Sequence, residues 1–153
     1  IALGVGMQVL AADKFIDNVS LSVTLFNGTS IPVEINTIPM NEVLKKSDFV
    51  SLHVPAQKKY VLGKKEFTMM KNGAVVVNAA RGGVIDEVAM VEALDSNKLA
   101  FAALDTFENE PKPEVKLLMH SKISLTPHIG AATLEAQDRI GEELVNQIIS
   151  LLG

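Results

Sequence analysis

Apolar residues in this chain come in short runs that alternate with amphipathic segments. The runs predict strands at 8–12 (closing on Asp13), 20–26, 31–35, 48–54 (stopped by Pro55), 74–78, 99–104 and 123–125. The run AVVVN at 74–78 leaves no alternate position for solvent, as a strand covered on both faces requires. Asn27-Gly28 sits between 20–26 and 31–35 and marks a hairpin, because both residues of a tight hairpin turn favour positive φ. Helical patterns lie between the other runs. One covers 41–46, and another covers 64–71 with Asn72-Gly73 as its stop. A third is capped by Asp86, carries Val88, Val91 and Leu94 at helical spacing with Met90 nearby, and breaks at Ser96-Asn97. Residues 108–113 form a polar loop containing proline. Thr133 is placed to cap a long C-terminal helix with Glu135 in its first turn. Its apolar stripe is Ala136, Ile140, Leu144, Ile148 and Leu151 or Leu152.

Strands alternating with helices predict an α/β domain with a mostly parallel sheet. In open sheets of this kind ligands bind beyond the carboxyl ends of the strands. Chemistry is therefore expected at Asp13, His53, Asn78, Arg81, Asp105 and His128. A carboxylate such as Asp13 at a strand end can accept hydrogen bonds from ribose hydroxyls and repel a 2′-phosphate; it can also be an ordinary turn aspartate. Arg81 follows the small residues Ala79 and Ala80 and offers a fork for a carboxylate, or else is a surface arginine on a glycine turn. His128 can give and take a proton near neutral pH, with Asp105, Glu108 and Glu110 as carboxylates able to orient it; it can equally be a plain loop histidine. His53, on a strand rim, and His120, in a loop, have weaker cases. Gly4-Val5-Gly6 is not a dinucleotide loop, since Val9 fills the next glycine position and a strand is predicted where a helix is required. These two glycines instead suit a helix end.

Composition narrows the picture. The 153 residues are 48% hydrophobic and 21% charged, enough for one domain with a real core. A net charge of −4 without a basic block disfavours nucleic acid as a partner. The apolar runs are too short to cross a bilayer. There is no cysteine, so disulfides and thiolate metal sites are excluded, and no His-x3-His or carboxylate cluster suggests any other metal site. No Gly-x-Ser-x-Gly elbow supports a serine nucleophile. A cytoplasmic location is expected.

Four segments occur in one order along the chain: DFVSLHVP (48–55), MKNGAVVVNAARGGVIDE (70–87), ALDTFENEP (103–111) and TPHIGAATLEAQDRIGEE (126–143). Together they resemble the nucleotide-binding domain of the D-isomer-specific 2-hydroxyacid dehydrogenases. The Glu135-Ala136-Gln137 run is most similar to the D-3-phosphoglycerate dehydrogenase branch. The resemblance implies a Rossmann-like sheet, NAD as cofactor, a small-molecule substrate and a homo-oligomer, a dimer. It implies that Arg81 binds the substrate carboxylate and the C2 oxygen, that His128 is the general acid–base, and that Glu110 pairs with His128. It further implies that Asp105 holds the nicotinamide carboxamide and Asp13 the adenosine ribose. Val54, Pro55, Ala79, Ala80 and Gly130, beside Arg81 and His128, would line the cofactor groove.

Two features depart from the family. Its G-x-G-x-x-G loop and the strand before it, expected upstream of Asp13, do not occur in the sequence, and neither does a separate substrate domain. Residues 1–153 are thus expected to be a partial dinucleotide-binding domain that lacks the first strand, with a hairpin insertion within 14–40 and a C-terminal helix at 133–152. Alone they are expected neither to bind NAD well nor to turn over. The expected activity is oxidation of a D-2-hydroxy acid, 3-phosphoglycerate first. The alternatives are a glycerate, glyoxylate or hydroxypyruvate reductase and a non-catalytic NAD-sensing module like the family's corepressors.

Overall fold

The computed structural model describes residues 1–152. Its centre is a four-stranded sheet, β3 (Phe49–Leu52), β4 (Ala74–Asn78), β5 (Leu99–Leu104) and β6 (Ile123–Leu125), all parallel and side by side in chain order. Helices α1 (Met40–Lys46), α2 (Lys64–Met69), α3 (Glu87–Asp95) and α4 (Val115–Leu118) connect or flank these strands. The earlier strands β1 (Asn18–Thr24) and β2 (Ser30–Asn36) form a separate antiparallel pair. The long helix α5 (Leu134–Leu152) ends the fold. A doubly wound sheet puts its first strand at the centre; here β3 is an edge, and among the described residues no strand lies beyond it.

Among the described residues, only one face of the sheet is covered. Val50, Leu52, Val76, Ala102 and Leu104 share a face by register and are buried with Leu44, Leu62, Phe67, Met90 and Leu94 from the loops and helices. On the other face Phe49 is 57% and Phe101 54% exposed, while Val75, Val77 and Ala103 are half-buried. The purely apolar reading of 74–78 as a strand covered on both sides therefore holds for one side in the described residues.

Several expectations shift. Residues 8–12 are not a strand; Ala11 alone bridges Thr37, because the segment never reaches an edge of the four-stranded sheet. A turn of 3-10 helix, Leu3–Val5, is closed by Gly6 in the left-handed conformation, so the helix-end reading fits Gly6, while Gly4 lies inside the turn. The hairpin turn is longer than two residues: Leu25 N–H donates to Thr29 O, and only Gly28 takes a positive φ, 83°. Asn27 instead accepts Thr29 N–H on its side chain, so the turn is the three-residue kind that ends in one left-handed position. The strand predicted at 48–54 stops at Leu52, where its partner β4 ends at Asn78, and the helix predicted at 64–71 stops at Met69. Asp86 caps α3 as expected, accepting Ala89 N–H at 2.9 Å, but Val88 is 70% exposed and the buried stripe runs through Ala89, Met90, Val91, Ala93 and Leu94. Thr133 Oγ1 caps α5 by accepting Ala136 N–H. Of the α5 stripe only Ala136 is buried; Ile140, Leu144, Ile148, Leu151 and Leu152 are exposed. No helix among the described residues is long and apolar enough to cross a membrane.

Candidate active site

Parallel register brings the carboxyl ends of β4, β5 and β6 side by side, and three loops leave that edge. The first, after β4, is built by Asn78. Its side-chain carbonyl accepts Ala80 N–H at 3.1 Å and its amide donates to Arg81 O at 3.0 Å, so a buried side chain folds the turn around Ala79 and Ala80. Arg81 is exposed on this turn, with its guanidinium on Ala80 O. Gly82 follows because the second loop passes against it: a Cβ there would lie 1.9 Å from Phe107 O.

The second loop, 105–110, is held at both ends. Asp105 N–H donates to Asn78 O at 2.9 Å. The Glu110 carboxylate folds back so that one oxygen accepts Phe107 N–H at 2.9 Å, which leaves Oε2 to meet His128 Nδ1 at 2.8 Å. That bond holds the Glu110 carboxyl below the usual carboxylate range. The Phe107 N–H and the His128 charge act the same way, while partial burial and the Asp105 charge oppose them.

The third loop, 126–130, is organised by Asp105. Its Oδ1 accepts the Thr126 hydroxyl at 2.6 Å and Ile129 N–H at 2.9 Å, and its Oδ2 accepts Gly130 N–H at 2.9 Å. Burial pushes the Asp105 carboxyl up, but these three donors and the His128 charge outweigh it and hold it low. A Cβ on Gly130 would come within 2.9 Å of Oδ2, so this position has no room for a side chain. Between the tied residues His128 takes φ 55°, a left-handed conformation that costs a non-glycine residue about 1–2 kcal/mol. The Asp105 bonds on either side of it hold that geometry.

Chemically the pair is an imidazole with one nitrogen fixed. An ionised carboxylate can only accept, so Nδ1 carries the hydrogen shared with Glu110 and Nε2 is left to exchange a proton. Among the described residues Nε2 has no hydrogen-bond partner.

Two expected residues lie apart from this pair. Arg81 makes no hydrogen bond to Glu110 or His128 among the described residues. Asp13 follows no strand; its Oδ1 accepts Phe15 N–H at 2.7 Å and Ile16 N–H at 3.2 Å, which makes it a turn-forming aspartate whose Oδ2 has no hydrogen-bond partner among the described residues. His53 bonds Ser51 and His120 bonds Asp95. Asn78, expected at its strand end, organises the first of these turns; Thr126, the first residue of the 126–143 segment, is a site residue that the sequence reading does not single out. No group of side chains able to hold a metal occurs among the described residues.

A dinucleotide fits part of what is present. A cleft of about 140 Å³ opens at this edge, on the uncovered face, lined by Val77, Ala79, Ala103, Asp105, Ser124 and Thr126. Its small side chains let a flat ring approach the sheet. Val54 and Pro55 leave the end of β3 on the same edge, and Ala79 is exposed while Ala80 is buried in the turn.

The profile of the D-isomer specific 2-hydroxyacid dehydrogenase NAD binding domain matches residues 1–130. The hydroxypyruvate reductase of Thermotoga maritima is 40% identical over 157 residues, which cover 99% of this chain and 47% of that protein. The D-3-phosphoglycerate dehydrogenase of Methanocaldococcus jannaschii is 44% identical over 115 residues, 74% of this chain and 22% of that protein. The solved glyoxylate reductase from Paecilomyes thermophila superposes with a TM-score of 0.68 at 40% identity, over 76% of this chain and 36% of that one. The chain thus spans less than half the length of each of these relatives. On these grounds it belongs to the D-isomer specific 2-hydroxyacid dehydrogenase family and carries that family's NAD-binding domain.

Proposed function

We propose that the protein carrying this chain interconverts a D-2-hydroxy acid and its 2-oxo acid. The observation that carries the proposal is the 2.8 Å contact of His128 Nδ1 with Glu110 Oε2 at the carboxyl edge of the sheet. His128 takes the hydroxyl proton on Nε2 during oxidation and returns it during reduction, and Glu110 stabilises the charged ring between the two. Arg81, exposed on its turn, pairs with the substrate carboxylate and with the oxygen on C2 as negative charge builds there. NAD, when bound, supplies the redox chemistry. Ala79, Ala80, Val54, Pro55 and Gly130 border its groove, Asp105 fixes the carboxamide end, and the free oxygen of Asp13 takes the ribose hydroxyls. The dinucleotide-binding unit works with a substrate domain supplied elsewhere in the protein, as the greater length of the relatives supports. The protein is a cytoplasmic homo-oligomer in this reading.

The substrate we propose is 3-phosphoglycerate, on the strength of Glu135-Ala136-Gln137 and the D-3-phosphoglycerate dehydrogenases among the relatives. Hydroxypyruvate is the second reading, favoured by the T. maritima relative that matches along nearly the whole chain. NADH formation from 3-phosphoglycerate, set beside NADH consumption with hydroxypyruvate, decides between them in the full-length protein. No turnover with either, or with D-lactate and glyoxylate, overturns the activity.

A further inference from the structure

The loop that carries Glu110 has a second anchor, outside the pair itself. Glu87, the first residue of α3, is buried, and its Oε1 accepts Glu108 N–H at 2.8 Å. In return Glu108 Oε1 accepts Glu87 N–H at 3.0 Å. The two residues are 21 apart in sequence and exchange backbone and side chain reciprocally. Tyr60 adds a third strut, donating its hydroxyl to Glu108 Oε2 at 3.2 Å. The arrangement places a buried carboxylate beside other acids. Burial pushes the Glu87 carboxyl up and the charges of Glu108, Glu114 and Glu110 add to this, against the pull of the Glu108 N–H. A fold that only needed to close this loop could use an apolar contact there. What the carboxylate adds is a fixed position for the backbone at residue 108, one residue past the N–H that grips Glu110 and two before Glu110 itself.

We infer that Glu87 is a positioning residue for the acid–base pair, fixing through the Glu108 backbone the loop that presents Glu110 to His128. This rests on the proposed role of His128. It needs the Glu87 side chain as a hydrogen-bond acceptor, and it does not need its charge. A misplacement of about 1 Å in such a pair can lower turnover as much as 100-fold.

The test uses the full-length protein with NADH and hydroxypyruvate as probe substrate. Glu87→Ala should lower kcat roughly 10- to 100-fold, with KM and the NADH Kd within about twofold of the parent, since Glu87 is buried against the Glu108 backbone. Glu87→Gln keeps an acceptor oxygen for Glu108 N–H and should restore kcat to within about threefold. Glu108→Ala, which removes the other half of the clamp, should lower kcat in the same direction, and it decides alone if Glu87→Ala does not fold. Parental kcat in the alanine variants overturns the inference, as does Glu87→Gln failing as badly as Glu87→Ala. His128→Ala run alongside separates the two readings: full activity in that variant overturns the acid–base assignment itself, whereas its loss with unaffected Glu87 variants overturns only the positioning role.

Discussion

The two edges of the four-stranded sheet are tied by the same kind of bond and serve different ends. At the amino edge, Lys98 immediately precedes β5 and Lys122 immediately precedes β6. Lys98 Nζ donates to Met70 O at 2.5 Å and to Asn72 Oδ1 at 2.9 Å. Lys122 Nζ repeats the pattern on Leu94 O at 2.8 Å and Asn97 Oδ1 at 2.7 Å. In both cases an ammonium bonds a carbonyl at the C-terminal end of a helix, α2 for Lys98 and α3 for Lys122, together with an asparagine side chain in the turn that follows that helix. At the carboxyl edge the linking side chains are Asn78, Asp105, Glu110 and Glu87, and the network does not close. It ends on a ring nitrogen, an exposed guanidinium and a residue held at φ 55°. Groups at one edge spend their hydrogen bonds on the fold, while those at the other hold an imidazole with one ring nitrogen left open, the group to which the proposed function gives the proton step.

Substitutions can break this comparison. The largest effect is expected at His128→Ala, a fall in kcat of about 10²- to 10⁴-fold in the full-length protein with unchanged Tm; a loss of less than tenfold would remove the ring from the proton step. Gly82→Ala forces a Cβ into the Phe107 backbone and is expected to cost about 1–3 kcal/mol or more, read by urea unfolding. Asp105→Asn turns an acceptor into a donor against an N–H, at an expected cost of about 1–3 kcal/mol, and lowers kcat as well because the 126–130 loop loosens. At the other edge, Lys98→Met and Lys122→Met should each cost about 1 kcal/mol while leaving kcat unchanged. A kcat effect there as large as that of Asp105→Asn would erase the distinction between the edges.

The smallest expected effects are in pH dependence, and their signs oppose. The Glu110 and Asp105 carboxyls are held low in the folded chain, so their contribution is present above the ordinary carboxylate range and is lost as pH falls through the folded values. The stability gap between the parent and Asp105→Asn should therefore narrow in acid. The Glu87 carboxyl is held high, so its contribution is full below the ordinary glutamate value and is lost as pH rises through the folded one. Glu87→Gln, which cannot ionise, should gain in Tm relative to the parent between acid and neutral pH.

Much of the core was legible from local pattern. The strands 74–78, 99–104 and 123–125 and the Asp86 cap form where the sequence places them, because buried β-branched runs and cap residues act over a few positions. Elements that depend on a neighbour were not legible. Residues 8–12 have a strand-like run but only a single bridge, and the stripe on α5 has helical periodicity but almost no burial. Val88 keeps the helical spacing of Val91 yet faces solvent, since period alone does not say which side of α3 meets the sheet. Of the site, strand-end positions drew attention to Arg81 and His128, while the catalytic set of Arg81, Glu110 and His128 was implied only by the family resemblance. The turn role of Asp13 shows how position alone leaves two readings open.

By itself the sequence determined the alternation of strand and helix and the absence of cysteine chemistry, and its four motifs carried the family. Each of these is set within a short stretch of chain. The resemblance already implied that Glu110 pairs with His128, 18 residues away, and the fold brings the two within 2.8 Å; only the tertiary structure decided that Asp105 governs the left-handed turn of a different loop and that Glu87 clamps Glu108. Those pairings depend on the parallel register that brings the carboxyl ends of β4, β5 and β6 together, a property of strands packed against one another.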